Sequence, residues 1–173
     1  MADLSTKKVV VLATNGFEDS ELTSPVEALK NAGATVTIAS TKTDAIKGKN
    51  GTEVAVDKST AEVSADDFDA VLLPGGVNNS DTIRTDEKAV ALVKDLREQG
   101  KPLAVICHGG SIMTDADVVK GVKMTSYPSI KTDLINAGAN WVDEECVVDN
   151  GIVSSRTPAD LDAFNKAIVE QFA

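Results

Sequence analysis

Short apolar runs rich in β-branched residues alternate with amphipathic stretches along this chain, and the alternation restricts the folds open to it. The apolar runs of the first half cover residues 8–13, 35–39 and 71–73. Helical patterns follow at about 20–32, which closes on Gly33, and at about 86–99, which closes on Gly100. Strands that alternate with helices favour a mostly parallel sheet with helices on both faces, so we predict a three-layer α/β sandwich.

The second half continues the pattern and adds a hairpin. It predicts strands at 103–106 and 123–125, and helices at 130–137 and 159–172. Asn-Gly pairs supply the positive φ angles of tight turns, so we expect hairpins at 46–56, outside the main sheet, and at 146–154. The polar segment 74–81 predicts a loop. No linker divides the 173 residues, of which 42% are hydrophobic, and we predict one domain over 1–173.

The apolar run 103–106 stops abruptly at Cys107-His108-Gly109-Gly110, where a helix begins. This arrangement predicts a nucleophile elbow, a sharp strand-to-helix turn that lifts the apex side chain above the sheet edge. Backbone amides at the start of a helix favour negative charge, so we expect the Cys107 thiol to ionise more readily than a free thiol. Cys146 lies among apolar residues of a predicted strand and is interpreted as a packing residue.

In a parallel sheet the carboxyl ends of the strands carry the site, which points to loops 15–19, 74–81 and 107–110. A carboxyl group from the first loop could reach the thiol. Glu18 is our candidate, although by spacing alone Asp19 and Glu21 are equal claimants and Glu18 could instead complement a helix dipole. Because two ionised groups in contact repel each other, we expect one of the pair to hold a proton.

His108 directly follows the cysteine, and adjacent side chains at a sharp elbow are expected to point apart. As a base, His108 needs a carboxylate on its far nitrogen, for which Asp81 is the candidate, from this chain or another subunit. Alternatively, His108 is a polar residue at the pocket rim. The Gly76 and His108 amides could form an oxyanion hole, since glycines at 75–76 allow close approach. Tyr127 could line the pocket.

Charge and composition exclude several function classes. A net charge of −10 argues against a nucleic-acid partner. The apolar stretch near the start is too short for a signal segment or a membrane span, so we expect a cytoplasmic protein without membrane partners. A single histidine excludes the usual zinc ligand sets within one chain, and no Walker or dinucleotide fingerprint occurs, so we expect neither metal nor cofactor.

Six motifs occur in one order: 17–22 (FEDSEL), 73–76 (LPGG), 104–109 (AVICHG), 125–134, 136–143 and 153–158. Together they resemble the PfpI-like branch of the ThiJ/PfpI superfamily of cysteine enzymes. The resemblance implies a flavodoxin-like sandwich that assembles as a homodimer or hexamer. It also implies functional roles for four residues: Cys107 as nucleophile, Glu18 as its carboxyl partner, His108 beside it, and the Gly76 and His108 amides as oxyanion hole. We also predict Gly75, Gly109 and Tyr127 in the substrate pocket.

Two points follow from the resemblance. In peptidase members a glutamate of a neighbouring subunit orients the histidine, and that position falls near Asp81, which is one methylene shorter. The family's activities are peptide hydrolysis, glutathione-independent glyoxalase activity and removal of early glycation adducts, so the implied partners are small carbonyl compounds, glycated proteins or peptides.

Three functional hypotheses remain open from the sequence. The first is a cysteine enzyme in which the Cys107 thiolate attacks a carbonyl group. The second is a non-enzymatic oxidative-stress sensor or chaperone that uses oxidation of Cys107. The third, amidotransferase-like chemistry, calls for a distal histidine that this sequence does not contain.

Overall fold

A computed structural model describes residues 2–173. The elements of the first half are β1 (Lys8–Leu12), α1 (Asp19–Asn31), β2 (Thr35–Ser40), β3 (Ile46–Lys47), β4 (Glu53–Val54), β5 (Lys58–Ser59), β6 (Ala70–Leu73), α2 (Val77–Ile83) and α3 (Glu87–Glu98). Those of the second half are β7 (Leu103–Ile106), α4 (Ser111–Asp115), β8 (Lys123–Met124), α5 (Lys131–Asn136), β9 (Asn140–Trp141), β10 (Cys146–Asp149), β11 (Ile152–Ser155) and α6 (Leu161–Phe172). In the described chain, no helix has the length and apolar character needed to cross a membrane.

Seven strands form the central sheet in the order β10-β11-β7-β6-β1-β2-β5. Neighbouring strands pair in parallel except β10 with β11, which form the predicted antiparallel hairpin. The β3–β4 hairpin stands outside this sheet, as expected, while β8 and β9 form a separate parallel pair. The predicted mostly parallel α/β architecture is therefore confirmed, whereas the short edge strand β5 had no clear sequence signal.

Side chains of the central strands are buried on both faces of the sheet. Val9 and Val11 of β1 belong to one apolar cluster, and Val10 and Leu12 belong to the other. The first cluster includes residues of α1 and α6, and the second includes residues of α3, α4 and α5. Because successive side chains of a strand point to opposite faces, helices on both sides explain why these strands are continuous apolar runs rather than alternating patterns.

Helix α2 corrects the predicted loop at 74–81. Its inward residues include Asn79 and Ser80, and this polar content hid the helical period. The buried Asn79 amide group donates hydrogen bonds from Nδ2 to the carbonyl oxygens of Pro74 (3.1 Å) and Gly75 (3.0 Å). Its Oδ1 accepts a hydrogen bond of 2.7 Å from the Thr14 amide. One side chain thus joins the ends of β1 and β6.

The direction in which the chain crosses the sheet changes between β1 and β6. From β1 the chain adds β2 and β5 on one side, and from β6 it adds β7 and β11 on the other. Such a switch point leaves a crevice at the carboxyl ends of the strands, where ligands bind in folds of this type. The loops after β1, β6 and β7 meet at this crevice, as the sequence predicts.

Candidate active site

The elbow after β7 places Cys107 in a strained backbone conformation. Its φ is +61°, in the left-handed region that a side chain with a Cβ rarely adopts. The chain turns through a 3₁₀ segment, Cys107–Gly110, into α4. The turn passes so close to β6 that a Cβ on Gly109 would collide with the Leu73 carbonyl oxygen. The thiol is buried, with the residue 8% exposed, at the floor of the crevice.

The carboxyl group beside this thiol is that of Glu21. The Glu21 side chain is fully buried, and its Oε1 accepts a hydrogen bond of 3.0 Å from the Gly75 amide. Its Oε2 atom is buried and has no hydrogen-bond partner in the described chain, and the carboxyl group and the Cys107 thiol shift each other's pKa. A Cβ on Gly75 would collide with Oε1 and lie 2.7 Å from the Cys107 Cβ. Only glycine at this position leaves room for the acid and the thiol to meet.

Glu18 does not hold the position that the sequence suggested. Helix α1 begins at Asp19, so Glu18 precedes its first turn, and the Glu18 carboxylate forms an ion pair with Lys49 of the β3–β4 hairpin. Glu21 is the third residue of the helix, in its first turn, and faces the ends of the strands. The expected contact between Glu18 and the thiol is therefore wrong, and Glu21, which spacing could not separate from Glu18, makes that contact.

Burial changes the ionisation of both partners. Desolvation, reinforced by the negative charge of Glu18, raises the pKa of Glu21 to about 7. Desolvation, followed by the charge of Glu21, raises the pKa of the Cys107 thiol to about 12. The expectation of a readily ionised thiol is wrong for the state in which Glu21 is a carboxylate. The thiolate becomes accessible when the carboxyl group holds the proton, so the two groups titrate as a pair.

His108 contacts the thiol despite being its neighbour in sequence. The His108 Nδ1 atom lies 3.3 Å from the Cys107 Sγ, and its Nε2 lies 2.9 Å from the Ser129 Oγ. The imidazole ring stacks on Tyr127 with a centroid distance of 4.6 Å. The expected divergence of the two side chains is therefore wrong, because the positive φ of Cys107 turns both toward the crevice.

Asp81 does not orient His108 in this chain. Asp81 is exposed on α2, and the hydrogen-bonding partner at the far nitrogen of His108 is Ser129. Burial lowers the pKa of His108 below its ordinary value, while the negative charge of Asp81 acts in the opposite direction. Within one chain the Asp81 interaction is thus long-range, and Ser129 fixes the ring.

Two backbone amides, those of Gly76 and His108, act on the Cys107 side chain in the direction that lowers the pKa of the thiol, against the larger effect of desolvation, and so favour its anionic form. Gly76 has a φ of +97°, and a Cβ there would collide with the Gly16 carbonyl oxygen. The sequence analysis predicts an oxyanion hole formed by these same two amides. Donors aimed at this point could also stabilise negative charge on an oxygen bonded to the carbon that the sulfur attacks.

A cavity of about 430 Å³ opens over the thiol. Its lining includes both charged and apolar residues: Glu18, Glu21, Lys49, Gly76, Val77, Cys107, His108, Tyr127 and Pro158. Gly75 and Gly109, which were expected in the pocket, lie beneath it and do not line it. Within residues 2–173, no group of three or more acidic, histidine or cysteine side chains is arranged to hold a metal ion.

Lys49 and Ser129 are site residues that the sequence analysis missed. Lys49 belongs to a hairpin remote in sequence from the elbow, and nothing in its local pattern indicates where its ammonium group lies. Ser129 lies within the motif 125–134, and its place beside Tyr127 was the only available signal. Both residues reach the site through tertiary packing alone.

A parallel α/β sandwich with a buried cysteine at a strand-to-helix elbow, an acid against the thiol and a histidine beside it defines a class of cysteine-centred proteins. The chain belongs to the DJ-1/PfpI family, whose sequence profile matches residues 7–171. This agrees with the resemblance found in the sequence.

Individual relatives support the family assignment over nearly the whole chain. "Putative cysteine protease YraA" of Bacillus subtilis is 47% identical over 161 residues, which cover 92% of this chain and 95% of that protein. "Deglycase PfpI" of Pyrococcus furiosus is 47% identical over 163 residues, which cover 94% and 98%. The crystal structure of Drosophila melanogaster DJ-1beta is 31% identical, covers 96% of this chain and 90% of that one, and superposes with a TM-score of 0.90.

Proposed function

We propose that this protein is a cysteine-dependent enzyme that acts on reactive carbonyl compounds, either as a glutathione-independent glyoxalase or as a deglycase that removes early glycation adducts. The observation that carries the proposal is the packing of the Cys107 side chain and the Glu21 carboxyl group against the same glycine, Gly75, with His108 Nδ1 3.3 Å from the Cys107 sulfur. The deglycase name of a relative 47% identical over nearly its full length supports it. A cytoplasmic homo-oligomer, implied by the sequence, belongs to the same proposal.

The proposed reaction with methylglyoxal uses each of these groups. The Cys107 thiolate forms a C–S bond to the aldehyde carbon, and the π electron pair of the C=O bond moves to an oxygen held by the amides of Gly76 and His108. The oxygen first takes the thiol proton that Glu21 holds. Glu21 or His108 then removes the hydrogen on that carbon as a proton, which gives an enediolate, and returns it to the adjacent carbon; the hydroxyl proton moves to the oxygen of the adjacent carbon, and the product is a thioester of lactate. Water hydrolyses the thioester and releases lactate and the free thiol.

Peptide hydrolysis is supported less well by the geometry. A peptidase must protonate an amine leaving group, which requires an acidic imidazolium oriented by a carboxylate. Burial lowers the pKa of His108, and its far nitrogen contacts the Ser129 hydroxyl group rather than an acid. A neutral imidazole suits removal of a proton from carbon. We therefore place small dicarbonyls and glycated side chains ahead of peptides as substrates.

The test is lactate formation from methylglyoxal without glutathione, measured side by side for the wild type, Cys107→Ser and Cys146→Ser. We expect turnover in the wild type and in Cys146→Ser, and none in a folded Cys107→Ser. Cys146 is the matched control because its thiol is also free but lies on β10, away from the cavity. Equal turnover in the wild type and Cys107→Ser would refute the proposal.

A second candidate function is redox sensing, favoured by the hydrogen-bond donors around the same sulfur. Hydrogen peroxide would oxidise the thiolate to a sulfenic and then a sulfinic acid, each step reducing one peroxide to water. The amides of Gly76 and His108 could stabilise the resulting negative charge. Peptide mass spectrometry after mild peroxide should find the sulfinic acid at Cys107 before Cys146, and equal modification of both would count against this function.

A further inference from the structure

We infer that Glu18 and Lys49 form a charge-positioning pair for the reactive thiol, in which the Lys49 ammonium favours the thiolate and the Glu18 carboxylate opposes it. The inference rests on the proposed function in taking Cys107 as the reactive group. It assigns a role to two residues at the rim of the cavity, neither of which donates a hydrogen bond to the sulfur. Both act through the Cys107–Glu21 pair.

The β3–β4 hairpin holds the lysine in place. The Lys49 amide donates a hydrogen bond of 2.9 Å to the Phe17 carbonyl oxygen, one residue before Glu18. The Asp19 carboxylate accepts hydrogen bonds of 3.0 Å each from the amides of Asn50 and Thr52. The hairpin turn is thus fixed against the start of α1 from both sides. The ammonium group is therefore held beside the cavity rather than free in solvent.

Lys49 is the only cationic residue in the lining of the cavity, within the chain that the structure describes. Its Nζ pairs with the Glu18 carboxylate, whose side chain is only 15% exposed, while the lysine side chain is 55% exposed. The carboxylate is therefore poorly solvated and depends on the ammonium for compensation. Removing either partner would leave an unbalanced charge near the thiol.

The charged groups that face the thiol act in opposite directions. From α1, Glu21 contacts it, and the charge of Glu18 raises the pKa of Glu21 while that of Lys49 lowers it. The pKa of Lys49 is raised chiefly by its contact with Glu18 and, to a smaller extent, by negative charge on Glu21 and on the Cys107 sulfur, so the ammonium and the thiolate stabilise each other. His108 responds to both Lys49 and Asp81, which lower and raise its pKa respectively. Removing the cation therefore disfavours the thiolate, and removing the Glu18 charge favours it.

The experiment measures the rate at which iodoacetamide alkylates Cys107 as a function of pH, in a Cys146→Ser background at low salt. Below the midpoint of the wild-type profile we expect Lys49→Met to slow alkylation by about threefold to tenfold and Glu18→Gln to accelerate it by a similar factor, the size of effect that one nearby, partly screened charge exerts. Lys49→Arg keeps the charge and should restore the wild-type profile.

Lys47→Met is the matched control. Lys47 belongs to the same hairpin, but its ammonium pairs with Glu53 at 3.7 Å and does not line the cavity. Its removal should leave the alkylation profile unchanged. High salt should reduce the differences between the Glu18 and Lys49 variants, since the lysine is half exposed and its field is screened.

Slower alkylation of Cys107 in Lys49→Met together with faster alkylation in Glu18→Gln would support the inference. Shifts in the same direction, no shift in either variant, or differences that persist unchanged in high salt would overturn it, because each indicates a structural effect instead of an electrostatic one. Alkylation needs no turnover, so a protein without activity on any carbonyl substrate would refute the proposed function and still test this inference.

Discussion

Replacing Glu21 by glutamine should make the protein more stable at neutral and alkaline pH while lowering its turnover, because glutamine cannot take up a proton. Glutamine has the same shape and keeps an oxygen to accept the Gly75 hydrogen bond. It carries no charge, so it avoids the desolvation that raises the pKa of Glu21 to about 7. The substitution therefore separates the cost of burying a carboxylate from the packing of the side chain.

The magnitude follows from the pKa of Glu21, which is raised from 4.5 to about 7 and corresponds to about 3 kcal/mol. Because the folded-state pKa lies above the unfolded one, the protonated carboxyl group contributes its full stability below about pH 4.5. That contribution is lost as the pH rises through about 7. The free energy of unfolding of Glu21→Gln minus that of the wild type should therefore grow by about 3 kcal/mol over this range and then stay constant.

Urea denaturation of both proteins at a series of pH values from acid to mildly alkaline would measure this difference directly. Glu27→Gln is the matched control, since Glu27 is an exposed residue of the same helix. The free energy of unfolding of Glu27→Gln should change with pH in the same way as that of the wild type. A difference for Glu21→Gln that stays flat with pH, or decreases, would refute the assignment of a buried carboxyl group with a raised pKa.

Three further predictions concern the reactive groups. The rate of thiol alkylation and kcat/KM should rise with pH through about 7, because the Cys107–Glu21 pair loses its first proton there. Rates that are equal well below and well above this pH would contradict the coupled titration of the two groups. Ser129→Ala should lower kcat and change the pH dependence of kcat, since it removes the hydrogen-bonding partner of His108 Nε2. Ser129→Thr keeps a hydroxyl group and should preserve both. Equal kinetics for the two variants would exclude a role of Ser129 in orienting His108. Gly75→Ala should abolish turnover, since the added Cβ would collide with the Glu21 carboxyl group. An undiminished kcat in a folded variant would show that close packing of Glu21 against Gly75 is unnecessary for turnover.

The sequence predicted the sheet well because its signals are local. The runs at 71–73 and 103–106 are apolar at every position, and the run at 8–13 is apolar at every position after Lys8, which is typical of strands buried on both faces. The elbow follows from the abrupt stop at Cys107. The turn at Asn50-Gly51 likewise depends on neighbouring residues only. Each of these features is decided within a few residues, so an isolated sequence contains the information.

The site was predicted less well because its contacts depend on tertiary geometry. Spacing alone could not separate Glu18 from Glu21, since the choice depends on where α1 begins and which face it turns toward the strand ends. Helix α2 was missed because it buries Asn79, whose Oδ1 accepts a hydrogen bond from the amide of Thr14, 65 residues away in sequence. Ser129 meets His108 across 21 residues, and no local pattern encodes that distance.

The three hydrogen bonds of Asn79 also bear on how the protein recognises a ligand. They connect Thr14, at the end of one strand, to Pro74 and Gly75, at the end of the next, across the crevice that the topology leaves there. A crevice closed in this way does not have to be ordered when a small molecule arrives, so association loses little conformational entropy. The floor of the site is preorganised, and discrimination between substrates is left to the side chains that line the cavity above it.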